Sequence, residues 1–260
     1  MVATDGTLTM SMSYRRAGSG KPLVLVHGYL GGSAQWQSQL AAFAATHDVI
    51  APDLPGFGQA ATMTGFARIA DFATAVMQCI DTLGVDHFSL LGHSMGGMIV
   101  QEIAARHGAR IDALVLCGTG PLGLMPDRFE PIETSIARLN TEGVNATTDR
   151  ITAFWFRDGT AAPGYIPTRD IARMAHPEAA RKALVAMRDW DGRAALKQLR
   201  MPCRILWGDQ DQSYRWPQIE TLWQGIVKAD LGVIPSAGHA IHMEKPDLFN
   251  MLVQDFLSSI

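Results

Sequence analysis

Short, mostly apolar runs recur along this chain, separated by longer stretches in which apolar residues return at helical spacing. The runs cover residues 22–26, 49–52, 87–91, 113–117, 203–207 and 231–234. A continuous apolar run of this length indicates a strand that is buried on both faces, which is the usual setting of a strand in a parallel sheet. Nearer the start, Leu8, Met10, Met12 and Tyr14 alternate with polar residues, and this pattern indicates an edge strand or half of a hairpin.

The stretches between the runs predict helices. Residues 66–83, for example, place Ile69, Phe72 and Val76 on one face and end before Gly84. Similar patterns predict helices around residues 36–43, 95–107 and 217–227 and from about residue 245. Strands that alternate with helices predict an α/β fold, in which helices cover both faces of a mostly parallel central sheet.

This alternation stops between residues 121 and 199. No buried-strand pattern occurs there, and helix-like stretches are separated instead by prolines and by Gly143. We therefore expect a core domain made of residues 1–120 and 200–260, interrupted by a helical cap formed by residues 121–199.

Composition limits the class of protein. The chain has 260 residues, of which 47% are hydrophobic, and this is enough for one large α/β domain with a buried core. A net charge of −3 and the lack of any run of Lys and Arg argue against a nucleic-acid partner. No apolar stretch approaches the length of a bilayer span and the first residues do not form a signal sequence, so we expect no membrane partner and a cytoplasmic location.

The three cysteines, Cys79, Cys117 and Cys203, lie in apolar stretches without Cys-x-x-Cys spacing. This pattern is typical of small buried side chains, and it argues against a metal site or a disulfide framework. We expect no metal and no cofactor. The sequence leaves the oligomeric state open, a homodimer included.

The most informative stretch is Gly92-His93-Ser94-Met95-Gly96, which fits the pattern Gly-x-Ser-x-Gly between a predicted strand and a predicted helix. Such a turn forces strained backbone angles on the serine and brings other main chain very close, which explains the two glycines. It also exposes the serine hydroxyl at the end of a strand, beside a helix N-terminus. The pattern is short enough to arise by chance, so its interpretation depends on the rest of the chain.

Polar residues that suit a serine nucleophile follow two later strands. A serine hydroxyl needs a neighbouring base and usually a carboxylate that orients the base. Asp209 and Asp211 follow the strand at 203–207, while His239 and His242 follow the strand at 231–234. Since catalytic groups collect at the carboxyl ends of parallel strands, we expect the serine, one aspartate and one histidine to converge on one crevice.

Five motifs spread over the whole chain resemble those of the α/β-hydrolase superfamily. They are His27-Gly28, Asp53-Leu54-Pro55-Gly56-Phe57-Gly58, the serine turn, Gly208-Asp209-Gln210-Asp211 and Gly238-His239. The resemblance implies that Ser94 is the nucleophile, Asp211 the acid and His239 the base. It also implies an oxyanion hole formed by the backbone N–H groups of Met95 and Tyr29.

Several neighbouring polar residues have alternative interpretations. Asp209 is the alternative acid, although it is better suited to brace its loop, and His242 is the alternative base. Asp53 is expected to stabilise its Gly-rich turn, and His93 to pack beside the serine turn. His27 is expected to orient the oxyanion loop by hydrogen bonds.

The cap is expected to close the site from above. Together with His27, the cap residues Phe154, Trp155 and Trp190 are expected to line an apolar pocket, although a cap must also bury its own underside. Four arginines are candidates for binding a substrate carboxylate. They are Arg128, Arg157, Arg169 and Arg188.

The motifs also narrow the reaction. A serine at position 94 excludes the epoxide hydrolases and haloalkane dehalogenases of this fold, which use aspartate. The chain lacks the Ser-Gly-Pro-Gly loop of the meta-cleavage product hydrolases and has Ala240 where those enzymes commonly have Trp. By resemblance we expect a hydrolase that cleaves a small carboxylic ester or enol-lactone through an acyl-enzyme. Two alternatives stay open: a carbon–carbon bond hydrolase of meta-cleavage products, and a lyase of the menaquinone-synthesis type that uses the same triad.

Overall fold

The computed structural model of the protein describes residues 12–125 and 128–260. Seven strands form one sheet. They are β1 (Tyr14–Ala17), β2 (Lys21–Val26), β3 (His47–Pro52), β4 (Phe88–His93), β5 (Ile111–Cys117), β6 (Cys203–Gly208) and β7 (Ala229–Ile234). Their order is β1-β3-β2-β4-β5-β6-β7. Only the β1–β3 pair is antiparallel, so the predicted α/β class with a mostly parallel sheet is confirmed.

Nine α-helices connect or cover these strands in the described part of the chain. They are α1 (Gln37–Phe43), α2 (Ile69–Thr82), α3 (Met95–His107), α4 (Ile132–Ala153), α5 (Tyr165–Ala172), α6 (Pro177–Arg188), α7 (Trp216–Gly225), α8 (Ile241–Glu244) and α9 (Pro246–Ser258). Helix α2 begins later than its apolar pattern predicts, because Arg68 before it has an extended backbone. Phe66 continues the apolar stripe from outside the helix by packing edge-on against Phe72. At the other end of the chain, the predicted edge strand begins at Tyr14, while Leu8 and Met10 lie outside the described residues.

The sheet separates two apolar layers, since successive residues of a strand point to opposite faces. Val24 and Val26 of β2 belong to the layer formed with α2, α3 and α7. Leu23 and Leu25 belong to the opposite layer, formed with α1 and α9. Both faces of the central strands are therefore buried, which explains why these strands are continuous apolar runs rather than alternating ones.

The chain between β5 and β6 consists of helices. Helices α4, α5 and α6 lie there, and α4 is interrupted at Gly143, where φ is 80° and ψ is 175°. In the residues described between 118 and 202, the only strand-like pairing is a single bridge between Leu122 and Asp191. The change in architecture agrees with the expected insertion, and its status as a separate cap domain of residues 121–199 stays a prediction. No helix in the described part of the chain is long and apolar enough to span a bilayer.

The register of the strands brings the chemically important loops to one edge of the sheet. Val26 lies opposite Gly92, Gly92 lies opposite Leu116, and Cys117 lies opposite Leu206. The carboxyl ends of β2, β4, β5 and β6 are therefore side by side. The loops that leave these strands, including those with the predicted serine and aspartate, begin at this common edge.

Candidate active site

Ser94 lies between β4 and α3 in a strained backbone conformation. Its φ is 55° and its ψ is −121°, in a region that residues with a side chain rarely adopt. The backbone N–H of Ser94 donates to the carbonyl of Cys117 at 2.9 Å, and the Thr119 hydroxyl donates to the carbonyl of Ser94 at 2.8 Å. These two bonds from the neighbouring strand hold the turn in place.

The two glycines of the turn are required by close backbone contacts. A Cβ on Gly92 would overlap the carbonyl oxygen of Gly96, and a Cβ on Gly96 would overlap the carbonyl oxygens of Val26 and His27. The turn is thus packed directly against the end of β2. This is the physical reason for the glycine spacing in the motif.

We expect Gly96→Ala to lower the free energy of unfolding by at least about 2 kcal/mol, because backbone must move to admit the methyl group. Gly108→Ala, just beyond the same helix, is the matched control. A Cβ there would meet only the Met201 side chain, at 3.5 Å, and φ is −53°. Urea unfolding of both variants tests this prediction. If the free energy of unfolding of Gly96→Ala falls no more than that of Gly108→Ala, the turn tolerates a side chain.

Asp211 and His239 are brought into direct contact. The distance between Asp211 Oδ2 and His239 Nδ1 is 2.9 Å, and both residues are only 1% exposed. The other carboxylate oxygen accepts backbone N–H bonds from Ser213 at 2.6 Å and Tyr214 at 3.1 Å. The carboxylate is thus held in one orientation, and it fixes the orientation of the imidazole in turn.

Asp209, the alternative acid, is placed differently. Its side chain is exposed, and its Oδ1 accepts a hydrogen bond from the backbone N–H of Ala237 at 3.4 Å. It therefore braces the two adjacent loops, as expected from the sequence. His239 is bonded to the later aspartate of the pair.

Ser94 and His239 line the same small cavity. Trp155 and Met187 from the helical segment form part of the apolar wall, and Tyr214 lies beside the histidine. Ser94 and His239 thus meet at a cavity that is partly covered by the chain between β5 and β6, and Asp211 contacts His239.

Two backbone N–H groups beside Ser94 are free to bind an anionic oxygen. Met95 is the first residue of α3, and Tyr29 lies in the loop after β2. Neither N–H has a hydrogen-bond acceptor among the described residues. The loop is close to the serine, since a Cβ on Gly28 would be 2.9 Å from Ser94 Cβ. Helix N-termini and unpaired N–H groups of this kind stabilise negative charge, as an oxyanion hole requires.

The predicted pocket residues are only partly placed as expected. Trp155 lines the cavity, and its ring is 6.0 Å from that of His239. Phe154 points away, stacks on Phe129 and is 39% exposed. Trp190 also lies away from the cavity and donates its indole N–H to Glu102 at 3.1 Å. The predicted places of Phe154 and Trp190 in the pocket are therefore corrected. Residues that are close in sequence point in different directions here, and the sequence pattern does not show which of them faces the cavity.

His27 lies beneath the site rather than in its wall. It is fully buried, and its Nε2 accepts the backbone N–H of Leu54 at 2.9 Å. Its Nδ1 is 2.8 Å from the carbonyl oxygen of Gly28. His27 therefore anchors the loop that carries Tyr29, and its predicted place in the pocket is corrected. Asp53 likewise stabilises a turn by accepting bonds from the N–H and hydroxyl of Ser33.

Tyr214 is a site residue that the sequence patterns did not reveal. Its ring stacks on His239, with 5.6 Å between centroids and 22° between planes. Burial raises the pKa of the Tyr214 phenol above its ordinary range, while interactions with the hydroxyls of Ser94 and Thr119 oppose that shift. The phenol is therefore a neutral group in the cavity that Ser94 also lines. Its position three residues after Asp211 is the only sequence signal for it.

A second group of side chains lies next to His239. The ring of His93 is 4.7 Å from that of His239 and 4.6 Å from that of His242. Nitrogen and sulfur atoms of His93, His242 and Cys117 lie within 4.8 Å of one another, so this buried group has the residue types of a metal site. His93 packs beside the serine turn, between the rings of His239 and His242.

His242, the alternative base, does not line the cavity with Ser94. Its ring packs on Trp36 at 4.5 Å, and neither ring nitrogen has a hydrogen-bond partner among the described residues. Burial lowers the pKa of His242 to about 3, and it lowers the pKa of His93 well below its ordinary value. Both imidazoles are therefore neutral in the folded protein at neutral pH.

This burial predicts a loss of stability in mild acid. The unfolded chain binds a proton at position 242 near pH 6.5, whereas the folded chain does so only near pH 3, so stability falls as the pH decreases between these values. For His242 alone the loss between pH 7 and pH 5 is about 2 kcal/mol. We expect His242→Phe to remove this part of the pH dependence in urea unfolding. The same substitution at the exposed His107 is the control.

Comparisons with known proteins agree with this architecture. A family model described as the alpha/beta hydrolase family matches residues 23–252. The chain is 28% identical to a 2-hydroxy-6-oxononadienedioate/2-hydroxy-6-oxononatrienedioate hydrolase of Paraburkholderia phymatum, in a match that covers 97% of this chain and 93% of that protein. It is 27% identical to a 2-hydroxy-6-oxo-6-phenylhexa-2,4-dienoate hydrolase of Burkholderia cepacia, over 94% of this chain and 90% of that protein.

Two solved structures are similar over almost their whole length. An enol-lactonase from Burkholderia xenovorans has a TM-score of 0.85 and 25% identity, with 95% of this chain and 96% of that chain covered. A thermophilic esterase from Thermogutta terrifontis has a TM-score of 0.87 and 26% identity, with 95% and 93% covered. The similar proteins thus share a fold while their names indicate different bonds cleaved.

Proposed function

The chain belongs to the alpha/beta hydrolase family, and from this we propose that it is a serine hydrolase that cleaves a small carboxylic ester or enol-lactone through an acyl-enzyme. The observation that carries the proposal is the contact between Asp211 and His239 at the cavity that also holds Ser94. The substrate in this proposal is a small molecule, in keeping with the small cavity.

The geometry suits a two-step acyl transfer. His239, held by Asp211, takes the proton of the Ser94 hydroxyl while the serine oxygen attacks the carbonyl carbon of the substrate. The N–H groups of Met95 and Tyr29 stabilise the negative charge that develops on the carbonyl oxygen. The leaving alcohol or enol takes the proton from the histidine. Water then attacks the acyl-enzyme, His239 again transfers the proton, and the acid product leaves Ser94 free.

Two observations support ester or lactone cleavage. An enol-lactonase and an esterase are among the similar structures. In addition, Ala240 follows the proposed base, where the meta-cleavage product hydrolases commonly have Trp.

A carbon–carbon bond hydrolase is the second candidate, because several sequence relatives are named as hydrolases of 2-hydroxy-6-oxo-dienoates. The same serine, base and oxyanion donors would serve that reaction. The substrate test is direct: purified protein is offered short-chain esters, enol-lactones and 2-hydroxy-6-oxo-dienoates, and kcat/KM values are compared. Higher kcat/KM on the dienoate would replace the ester proposal by the second candidate.

The covalent step is tested by mass spectrometry. We expect a fluorophosphonate to label the peptide that contains Ser94, and a rapidly quenched reaction with a slow ester to show an acyl mass on the same peptide. Reaction in ¹⁸O-labelled water should place the label in the acid product. Turnover without an acyl mass and without ¹⁸O in the products would instead indicate elimination, as in a lyase that uses the triad only as a base.

A further inference from the structure

Arg128 differs from the other arginines of the helical segment in its position. It lines the cavity that contains Ser94 and His239. Arg157, Arg169 and Arg188 lie outside that cavity, and each forms an ion pair with the aspartate that follows it in the sequence, at 2.7, 2.7 and 2.6 Å. Of the four arginines considered as carboxylate ligands, Arg128 alone is at the cavity.

The guanidinium of Arg128 is held in place by hydrogen bonds from one of its nitrogens, and its other N–H groups remain available as donors. Its Nη1 donates to the backbone carbonyl of Glu130 and to the Ser135 hydroxyl, and the group lies 4.4 Å from the centre of the Phe129 ring. An arginine has five N–H donors, so Nε and Nη2 retain three. None of these three has an acceptor among the described residues. This edge of a guanidinium is the one that binds a carboxylate through two parallel hydrogen bonds.

Glu130, whose backbone carbonyl accepts from Arg128, has a carboxylate that is already occupied. The Glu130 carboxylate accepts two bonds from Arg150, at 2.9 and 3.0 Å, and one from the Ser135 hydroxyl at 2.6 Å. It is also 3.4 Å from Arg138. In the part of the chain that the structure describes, no carboxylate lies within 4.0 Å of the Arg128 guanidinium. Among these described residues, no ion pair neutralises the positive charge of Arg128.

Tyr29 provides a second unpartnered donor in the same wall. Its side chain is 3% exposed, and its buried hydroxyl has no hydrogen-bond partner among the described residues. Burial raises the pKa of this phenol above its ordinary range, while Arg128 and Arg150 nearby lower it. The hydroxyl therefore keeps its proton and can donate. A buried hydroxyl without a partner is costly, and an oxygen of a bound ligand would remove that cost.

From these contacts we propose that Arg128 and the Tyr29 hydroxyl form a subsite for a carboxylate of the substrate. The inference rests on the proposed function and narrows its substrate class to small esters or lactones that carry a free carboxylate. Ser94, Arg128 and Tyr29 line the same small cavity, so one small ligand can reach both the subsite and the serine. A half-ester of a short dicarboxylic acid has a carboxylate and an ester carbonyl at this kind of separation.

Two methyl esters that differ in one charge test this subsite. We expect wild-type kcat/KM to be about 10- to 100-fold higher for monomethyl glutarate than for dimethyl glutarate, because a charge-assisted bidentate bond is made only with the first. Arg128→Met should bring the ratio near 1, mainly through a higher KM for the half-ester. Tyr29→Phe, which keeps the backbone N–H, should lower the ratio about threefold. Arg188→Met is the control and should leave the ratio unchanged.

Binding in Ser94→Ala separates the subsite from the chemistry. Calorimetry should show monomethyl glutarate bound at least about ten times more tightly than dimethyl glutarate, and Arg128→Met in that background should remove the difference. If fluorophosphonate labels Ser94 but the two esters bind and react equally, the subsite is wrong and the proposed function stands. If the serine is not labelled and neither ester reacts, the proposed function fails, and this binding comparison still decides the subsite. Thermal unfolding shows whether each variant is folded, and Tyr29→Phe gives an independent result if Arg128→Met is not.

Discussion

Ser94→Ala is expected to lower kcat by roughly 10⁴- to 10⁶-fold on any ester that the wild-type protein hydrolyses. The attacking oxygen is lost, while the oxyanion donors and the cavity remain. Alanine meets the same backbone strain at φ 55° as serine does and keeps the Cβ, so the free energy of unfolding should change by less than about 1 kcal/mol. The measurement is steady-state kinetics together with urea unfolding.

Ser213→Ala is the matched control for this variant. Ser213 is the second serine on the cavity wall, and its contact with Asp211 is made by its backbone N–H, which alanine keeps. Its turnover should remain within about tenfold of wild type. Turnover close to wild type in Ser94→Ala, or equal losses in the two variants, would contradict the covalent proposal.

Asp211→Asn should lower kcat by roughly 10³- to 10⁴-fold, and the reason lies in its hydrogen bonds. Oδ1 accepts two backbone N–H groups, so the amide oxygen of asparagine must occupy that position. The amide NH₂ then faces His239 Nδ1 and donates to it, which places the imidazole proton on Nε2. A protonated Nε2 cannot accept the proton of Ser94, and the base is lost although the fold is kept.

Asp209→Asn provides the comparison two residues away. Its side chain is exposed and accepts only one long hydrogen bond, which an amide oxygen also accepts, so its kcat should change by less than about threefold. In the same way, His239→Ala should be severely impaired, whereas His242→Ala should lose much less turnover. A reversed order within either pair would exchange the assigned acid or base for its neighbour.

Local sequence patterns were sufficient for the elements that position the site. Each central strand is buried on both faces, so it appears as an apolar run whose meaning does not depend on distant residues. The glycines at 92 and 96 follow from the backbone geometry of one turn, and the contacts of Gly96 with the end of β2 show why no other residue suits that place. The strand order then brings loops that are far apart in sequence to one edge of the sheet.

The walls of the cavity were decided by the tertiary structure alone. Trp155 faces the cavity while Phe154, next to it, packs outside. The four candidate arginines have the same functional group, but of these four only Arg128 lies at the cavity. The helical segment packs over the sheet through contacts between distant residues, and those contacts set the direction of each side chain. The sequence by itself therefore determined the fold class and the candidate chemical groups, whereas long-range packing decided which side chains meet at the serine.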